Sequence, residues 1–156
     1  MAYTTIDNPA QYFQTKLWTG NGSNNRAITL DDTDADLDPD MIWIKKRTDD
    51  VEDHALHDKV RGIDSNPKLL NPNGTAAEET HGNNGYISAV TADTFTLSTN
   101  GSGGDAYQYN NHNTDTYVAW CWKANGTGSS NTDGTINTAA TSANTTSGFS
   151  IVSYTG

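Results

Sequence analysis

Five aspartates alternate with other residues in the segment "DDTDADLDPD", at positions 32, 34, 36, 38 and 40. In an extended chain these carboxylates share one face, and like charges so close together need a cation or solvent. The candidate ligands for Ca²⁺ are Asp32, Asp34, Asp36 and Asp38. The EF-hand pattern fails, because the positions that require glycine and glutamate hold Leu37 and Trp43. We therefore favour a solvated acidic loop and predict no metal and no other cofactor.

The run "HALHD" contains His54, His57 and Asp58. On a helix the two histidines would be neighbours able to share a metal, whereas on a strand they face opposite sides. We expect a strand here, and the sequence offers no evident third ligand for zinc. Cys121 lies between two tryptophans in a predicted central strand, which predicts an inert thiol in the core. With no G-x-S-x-G motif either, we predict that the protein is not an enzyme and has no catalytic residues.

Aromatic side chains are the other group that could bind a ligand, by stacking on sugar rings. The tryptophans, however, lie at alternating positions in strand-like runs, where tryptophan is more often a core residue. The predicted core set is Trp43, Val118, Trp120 and Trp122. Tyr107 and Tyr109 lie in a loop rich in glycine and asparagine, so they are the candidates for exposed, ligand-binding aromatics.

The elements that must position these residues are strands. The chain is rich in Thr, Asn, Gly, Ser and Asp, which are unfavourable inside helices and suit turns or the solvent faces of strands. "DMIWIKKR" and "TYVAWCWKA" are the clearest strands, and the second is apolar on both faces, as a central strand is. Asn8 and Pro9 predict one short helical turn before the first strand. We predict an all-β fold, an antiparallel β-sandwich of the jelly-roll or concanavalin-like type with long polar loops.

The charge distribution limits the partners. The formal net charge is −10 and no basic run is present, which argues against a nucleic acid or an anionic membrane as the partner. No stretch has the length and apolarity of a membrane span, so no membrane insertion is predicted. The first residues also lack the basic and apolar regions of a signal peptide. We expect a soluble product that folds where it is made.

The segment "FQTKLWTG" is echoed by "FSIVSYTG". At one constant offset, Phe13 matches Phe149, Trp18 matches Tyr154, and both segments end in Thr-Gly. Such self-similarity across a spacer of small residues is typical of a tandem array of related modules. We therefore predict a β-sandwich module over residues 1–124 and a linker or edge hairpin over 125–148. Residues 149–156 are then the first strand of a following, related module.

Five segments in this order resemble a repeat-bearing family of uncharacterised proteins from marine and freshwater tailed phages: "YFQTKLWTGNGS", "PDMIWIKKR", "HALHDKVRG", "DTYVAWCWKA" and "SGFSIVSYTG". The family is similar to virion or tail-fibre-like proteins with concanavalin-like β-sandwich modules. The resemblance implies a virion structural protein, assembled in the host cytoplasm, with other virion proteins as partners. The acidic loop and residues 67–85 depart from the family pattern.

Three roles fit this resemblance. The first is the N-terminal anchoring module of a tail-fibre or appendage protein, which we favour because the chain begins at Met1 and ends as a second module starts. The second is a capsid decoration protein, either cement or head fibre. The third is a carbohydrate-binding module for host adhesion, with a host-surface glycan as its partner. A homo-oligomer is expected, with a trimer as one arrangement.

Overall fold

A computed structural model of the chain describes residues 5–30, 35–49, 51–63, 67–80, 82–102 and 106–156. Within these ranges the one helical segment is a three-residue 3₁₀ turn, Pro9–Gln11, which Asn8 caps by accepting a hydrogen bond from the Ala10 N–H. The strands are β1 (Phe13–Thr19), β2 (Arg26–Thr29), β3 (Met41–Lys46), β4 (Ala55–Asp58), β5 (Lys68–Leu69), β6 (Glu79–Thr80), β7 (Tyr86–Thr91), β8 (Thr94–Ser98), β9 (Thr116–Trp122), β10 (Ser129–Asn131), β11 (Thr138–Asn144) and β12 (Phe149–Tyr154). The prediction of an all-β protein is confirmed.

The strands form four small antiparallel sheets. The central sheet has the order β1-β9-β3-β4, and the inner sheet has the order β2-β8-β7. The C-terminal sheet is β10-β11-β12, and β5 pairs with β6 in a two-stranded ribbon. Strand β9 occupies an interior position of the central sheet, between β1 and β3, as its apolar residues on both faces predict.

Alternate residues of the central sheet form its inner face, which contributes to the main hydrophobic core. Tyr117, Ala119 and Cys121 of β9 and Ile42 and Ile44 of β3 are wholly buried there. The inner sheet adds Ile28, Ile87, Phe95 and Leu97. The core therefore combines side chains from the central and inner sheets.

Trp18 joins β1 to this core. Its ring stacks on that of Tyr117 with centroids 5.5 Å apart and meets Phe95 edge-on at 5.9 Å. Its indole N–H donates to the Asn110 carbonyl at 2.9 Å, so the one polar atom of the buried ring is satisfied. Two residues later, a side chain at Gly20 would collide with the carbonyl of His112, which explains why glycine stands there.

The prediction of a core built from tryptophans is wrong in its choice of face. Val118 is buried, but Trp43, Trp120 and Trp122 are only half-buried. The face that packs against the inner sheet carries the intervening residues, and the tryptophans point to the other side of the central sheet. Alternation in β9 predicts two faces but does not distinguish which one another sheet will cover.

The C-terminal sheet lies on that other side, where the Phe149 ring stacks on Trp122 with centroids 5.9 Å apart. The Ser142 hydroxyl accepts from the Asn125 N–H at 2.8 Å, and the Asn144 amide donates to the Ala124 carbonyl at 3.3 Å. Strands β10 and β11 both fall within residues 125–148. The division of the chain into modules stays a prediction.

Candidate functional site

The side of the central sheet that faces away from the core is the candidate functional site, and we call it the outer face. Its apolar members on these strands are Phe13 and Leu17 of β1, Val118, Trp120 and Trp122 of β9, and Met41 and Trp43 of β3, while Thr15 and Lys45 lie on the same face. Phe13 is 41% exposed and Leu17 is 56% exposed. Apolar side chains this exposed and this close together mark a contact surface more often than isolated exposed residues do.

Ring contacts order the aromatic residues of the outer face. Trp43 meets Trp120 edge-on with centroids 6.1 Å apart, and Phe13 lies tilted against Trp122 at 5.1 Å. Trp122 therefore contacts two phenylalanines, Phe13 of β1 and Phe149 of β12. These contacts hold the rings in place on a sheet surface, so the outer face presents a pre-ordered aromatic surface.

The C-terminal sheet covers this side incompletely. Where β12 comes near β4, an open groove of about 310 Å³ remains, and its floor and walls include Met41, Leu56, Val60, Leu70 and Ile151. Asp58 and Arg61 also line it, joined by an ion pair of 2.6 Å. The groove is therefore mainly apolar, with one neutralised polar pair.

Trp43 is also bonded to a histidine. Its indole N–H donates to Nδ1 of His54 at 3.1 Å, a geometry that requires Nδ1 to be without its own proton. Burial, and then the charge of Lys45, lower the pKa of His54. The imidazole therefore acts here as an acceptor that fixes the orientation of the Trp43 ring.

His57 lies on the inner face of β4, opposite Ile42, and is wholly buried. Its Nδ1 lies 3.1 Å from the Lys68 carbonyl, and no hydrogen-bond partner for Nε2 is found among the described residues. Burial lowers the pKa of His57 to about 3, against a smaller opposing effect of the Lys68 hydrogen bond. Over the described ranges, no cluster of three or more His, Cys, Asp or Glu side chains could hold a metal ion.

In the described part of the acidic loop, one lysine pairs with two of the aspartates. Asp32 and Asp34 lie outside the described residues, and Asp36 is exposed. Lys59 Nζ lies 2.7 Å from Asp38 and 3.2 Å from Asp40, while Asp40 also accepts from the Ala124 N–H at 2.7 Å. Burial alone would lower the pKa of Lys59, but these two carboxylates outweigh it and raise that pKa. Where Asp38 was a candidate calcium ligand, an ammonium group supplies the positive charge.

A buried lysine is also paired with carboxylates at the end of the inner face. Lys46 Nζ is 2.9 Å from Asp115 and 3.0 Å from Asp49, and His112 Nδ1 is 2.8 Å from the same Asp115 carboxylate. Burial opposes ionisation of Asp115, but the hydrogen bonds from Lys46 and His112 win and lower its pKa. The His112 backbone N–H donates to the Tyr117 hydroxyl, so the cluster fastens this loop to the core.

The two loop tyrosines differ from each other. The expectation of exposure is wrong for Tyr109, because its ring packs in the main core and is 8% exposed. Its backbone N–H donates to the Asn84 carbonyl at 2.8 Å. Tyr107 is half-buried with φ of 69°, and its carbonyl accepts from the N–H groups of three following residues, 110–112. A polar cavity of about 370 Å³ lies in the same loop region, lined by Asn83, Asn84, Asn100, Gly101, Ser102 and Ala106.

Cys121 has the surroundings that the sequence predicts. It is wholly buried on the inner face, and burial raises the pKa of its thiol to about 12. A thiol with such a pKa carries almost no thiolate at neutral pH, and the thiolate is the nucleophilic form.

Residues 8–156 match a family described as a domain of unknown function, DUF7483. The chain belongs to the DUF7483 family. Comparison with curated proteins and with solved structures gave no match. In the described ranges, no helix has the length and apolarity that crossing a membrane requires.

Proposed function

We propose that this DUF7483 chain is a non-enzymatic structural module of a tailed-phage virion, which anchors a fibre or appendage to the particle. We further propose that its central and inner sheets form a β-sandwich of the jelly-roll or concanavalin-like type. The observation that carries the proposed function is the outer face, where Phe13, Leu17 and the half-buried tryptophans form an apolar surface that the C-terminal sheet covers incompletely. Such surfaces are typical of protein interfaces, in which aromatic residues are enriched.

The charges support a protein partner with basic groups. Four cationic side chains are engaged with carboxylates of the same chain: Lys46, Lys59, Arg61 and Lys68. These cations are paired within the chain, and the formal net charge of the whole chain is −10. A partner surface with lysine or arginine would complement it, and the association would weaken as salt concentration rises.

Substitution on the outer face tests the proposal in assembled particles. Leu17→Arg places a charge on the exposed outer face, and we expect it to reduce the amount of the protein in purified virions, as measured by quantitative mass spectrometry. Val51→Arg is the matched control, because Val51 is 79% exposed and lies outside the outer face. Normal incorporation of the Leu17→Arg protein would contradict the proposal.

Deletion and imaging locate the anchor. Deleting residues 1–156 from the phage protein should give particles that lack the appendage, whereas deleting only later modules should leave a stub attached. Particles that keep the appendage after loss of 1–156 would place the anchor elsewhere. A label on the domain, imaged on intact virions, separates attachment at the tail from capsid decoration.

Carbohydrate binding is the second candidate, favoured by the polar cavity that three asparagines line. Its lining offers the side-chain amides of Asn83, Asn84 and Asn100, which can both donate to and accept from sugar hydroxyls. A glycan array on the isolated domain tests this function. Binding that is lost in Asn100→Ala and kept in Tyr154→Ala, which alters an exposed aromatic residue outside the cavity lining, would support it.

A further inference from the structure

The two echoed segments are both edge strands of their sheets. Segment 13–20 contains β1 and segment 149–156 contains β12, and within the described residues each strand lies at one end of its sheet order. Their first residues share one neighbour, since Phe13 and Phe149 contact Trp122 with centroids 5.1 and 5.9 Å apart. The likeness between the segments therefore extends from sequence to secondary structure and to one side-chain contact.

In β1 and just after it, the structure explains two of the matched residues, Trp18 and Gly20. Trp18 is 8% exposed and packs in the main core, and Gly20 is required because a Cβ there would strike the His112 carbonyl. In β12 the matching aromatic residue has no such surroundings. Tyr154, which matches Trp18, is 62% exposed. The aromatic residue is present without the packing that explains it in β1.

The two faces of β12 repeat this difference. Phe149, Ile151 and Ser153 are half-buried, as expected for a side turned toward the chain. Ser150, Val152 and Tyr154 alternate with them and are exposed, Val152 by 46%. When the two segments are aligned, this exposed side of β12 matches the side of β1 that carries Gln14 and Trp18. That side of β1 is the inner, core-forming face. Strand β12 therefore shows to solvent the side that β1 turns toward the inner sheet.

The hydrogen-bonding edges complete the comparison. Strand β1 pairs along its whole length with β9, from Phe13 opposite Trp122 to Thr19 opposite Thr116. Strand β12 pairs with β11 on one edge, and its other edge has no strand partner among the described residues. The groove beside β12 is apolar, so a strand entering there would need apolar side chains. Strand β9, apolar on both faces, is of that type.

We propose that β12 is a strand shared by two modules. It completes the C-terminal sheet of this module, and a β9-like strand of a second copy of the fold pairs with its other edge. Val152 and Tyr154 then enter the core of that second module, and Gly156 permits the close approach that Gly20 permits here. Successive modules are thus joined by backbone pairing through one continuous strand, in place of a flexible connection.

An overlapping tandem protein tests this arrangement. Residues 1–156 are followed directly by residues 21–156, so that Gly156 takes the place of Gly20 and β12 is the only strand available to act as β1 of the second module. We expect two folded modules, seen as resistance of the whole chain to limited proteolysis. Tyr154→Ser should then destabilise the second module about as much as Trp18→Ser destabilises the first.

Two comparisons make the result specific. In the single 156-residue chain Tyr154→Ser should leave the melting temperature unchanged, because the side chain is exposed there. Ile136→Ser, at a residue 58% exposed outside β12, should change the stability of neither protein.

A tandem of two complete copies is the folding control. If both of its copies fold while the second part of the overlapping tandem is digested, β12 cannot replace β1 and the proposal is overturned. It is also overturned if the overlapping tandem folds but tolerates Tyr154→Ser without loss of stability. Neither result bears on the virion role, because the inference concerns the pairing of modules and not their place in a particle.

Discussion

The two faces of β9 differ in what lies over them. Tyr117, Ala119 and Cys121 are covered by other parts of the core and are wholly buried. Trp120 and Trp122, on the other face, remain half-buried under partial cover. The residues with the largest apolar surface are thus on the less protected face. Size and hydrophobicity alone do not decide which side of a strand becomes core, because burial depends on which second sheet has a complementary face.

A pair of identical substitutions, one in the core and one on the outer face, gives the largest expected contrast. Leu97→Ala removes a wholly buried side chain from the core and should lower the free energy of unfolding by about 3–5 kcal/mol. Leu17→Ala makes the same chemical change on the outer face, where the side chain is 56% exposed, and should cost about 0.5–1 kcal/mol. Urea unfolding of both variants measures the difference.

An equal loss of unfolding free energy in the two variants would contradict the distinction between a buried core and an exposed outer face. A large cost at Leu17 alone would mean that the outer face is covered in solution, for example by another copy of the chain. Sedimentation of the wild-type protein across a concentration series separates these outcomes.

The buried histidine of β4, His57, makes the stability of the fold depend on pH. The pKa of His57 is about 3 in the folded chain and about 6.5 when unfolded, so the unfolded chain binds more protons between these values. The contribution is fully present above pH 6.5 and is lost as pH falls toward 3. Between pH 6.5 and 5, the free energy of unfolding of the wild type should fall by about 1.5 kcal/mol more than that of His57→Gln.

The measurement is urea unfolding of both proteins at several pH values within that window. Comparing the two proteins cancels the contributions of all the titratable groups that both proteins share. If the free energy of unfolding had the same pH dependence in both proteins, His57 would become protonated in the folded state, and water would have access to its side chain.

Trp120→Ala tests the outer face at an aromatic residue. From the sequence alone, a core position would predict a loss of about 3–5 kcal/mol. With the ring half-buried and held edge-on by Trp43, we expect about 1–2 kcal/mol. Thermal unfolding checks the value. A loss as large as that of Leu97→Ala would mean that Trp120 is a core residue after all.

The regularities that the sequence reveals are local ones. Alternation over "MIWIKK" and "TYVAWCW" predicts strands β3 and β9, because side-chain direction alternates with every residue of a strand. The pairing of Asp40 with Lys59 and the turn that buries Tyr109 could not be predicted in this way. Both depend on segments that approach only after the sheets have formed, and a single sequence carries no record of such distances.

The same limit applies to the candidate sites. Like charges in a row predict a need for a cation, yet the row does not show that Lys59, many residues away, supplies it. Loop composition likewise predicts exposure for Tyr107 and Tyr109 together, whereas the backbone turn at Tyr107 sends the two rings into different surroundings.

The smallest effect is expected from calcium. Asp38 and Asp40 both contact the Lys59 ammonium group, and Asp36 is exposed, so the point at which the described carboxylates of the acidic loop meet is already occupied by a cationic side chain. Calorimetric titration of the metal-free domain should therefore show no binding at micromolar calcium, and calcium should leave the melting temperature unchanged. Lys59→Met is the informative variant, because it removes the ammonium group that competes with a cation for Asp38. Micromolar binding by the wild type that is abolished in the double variant Asp34→Asn with Asp36→Asn would mean that the loop is a calcium site despite Lys59. Binding gained only by Lys59→Met would instead show that the lysine occupies the position of the ion.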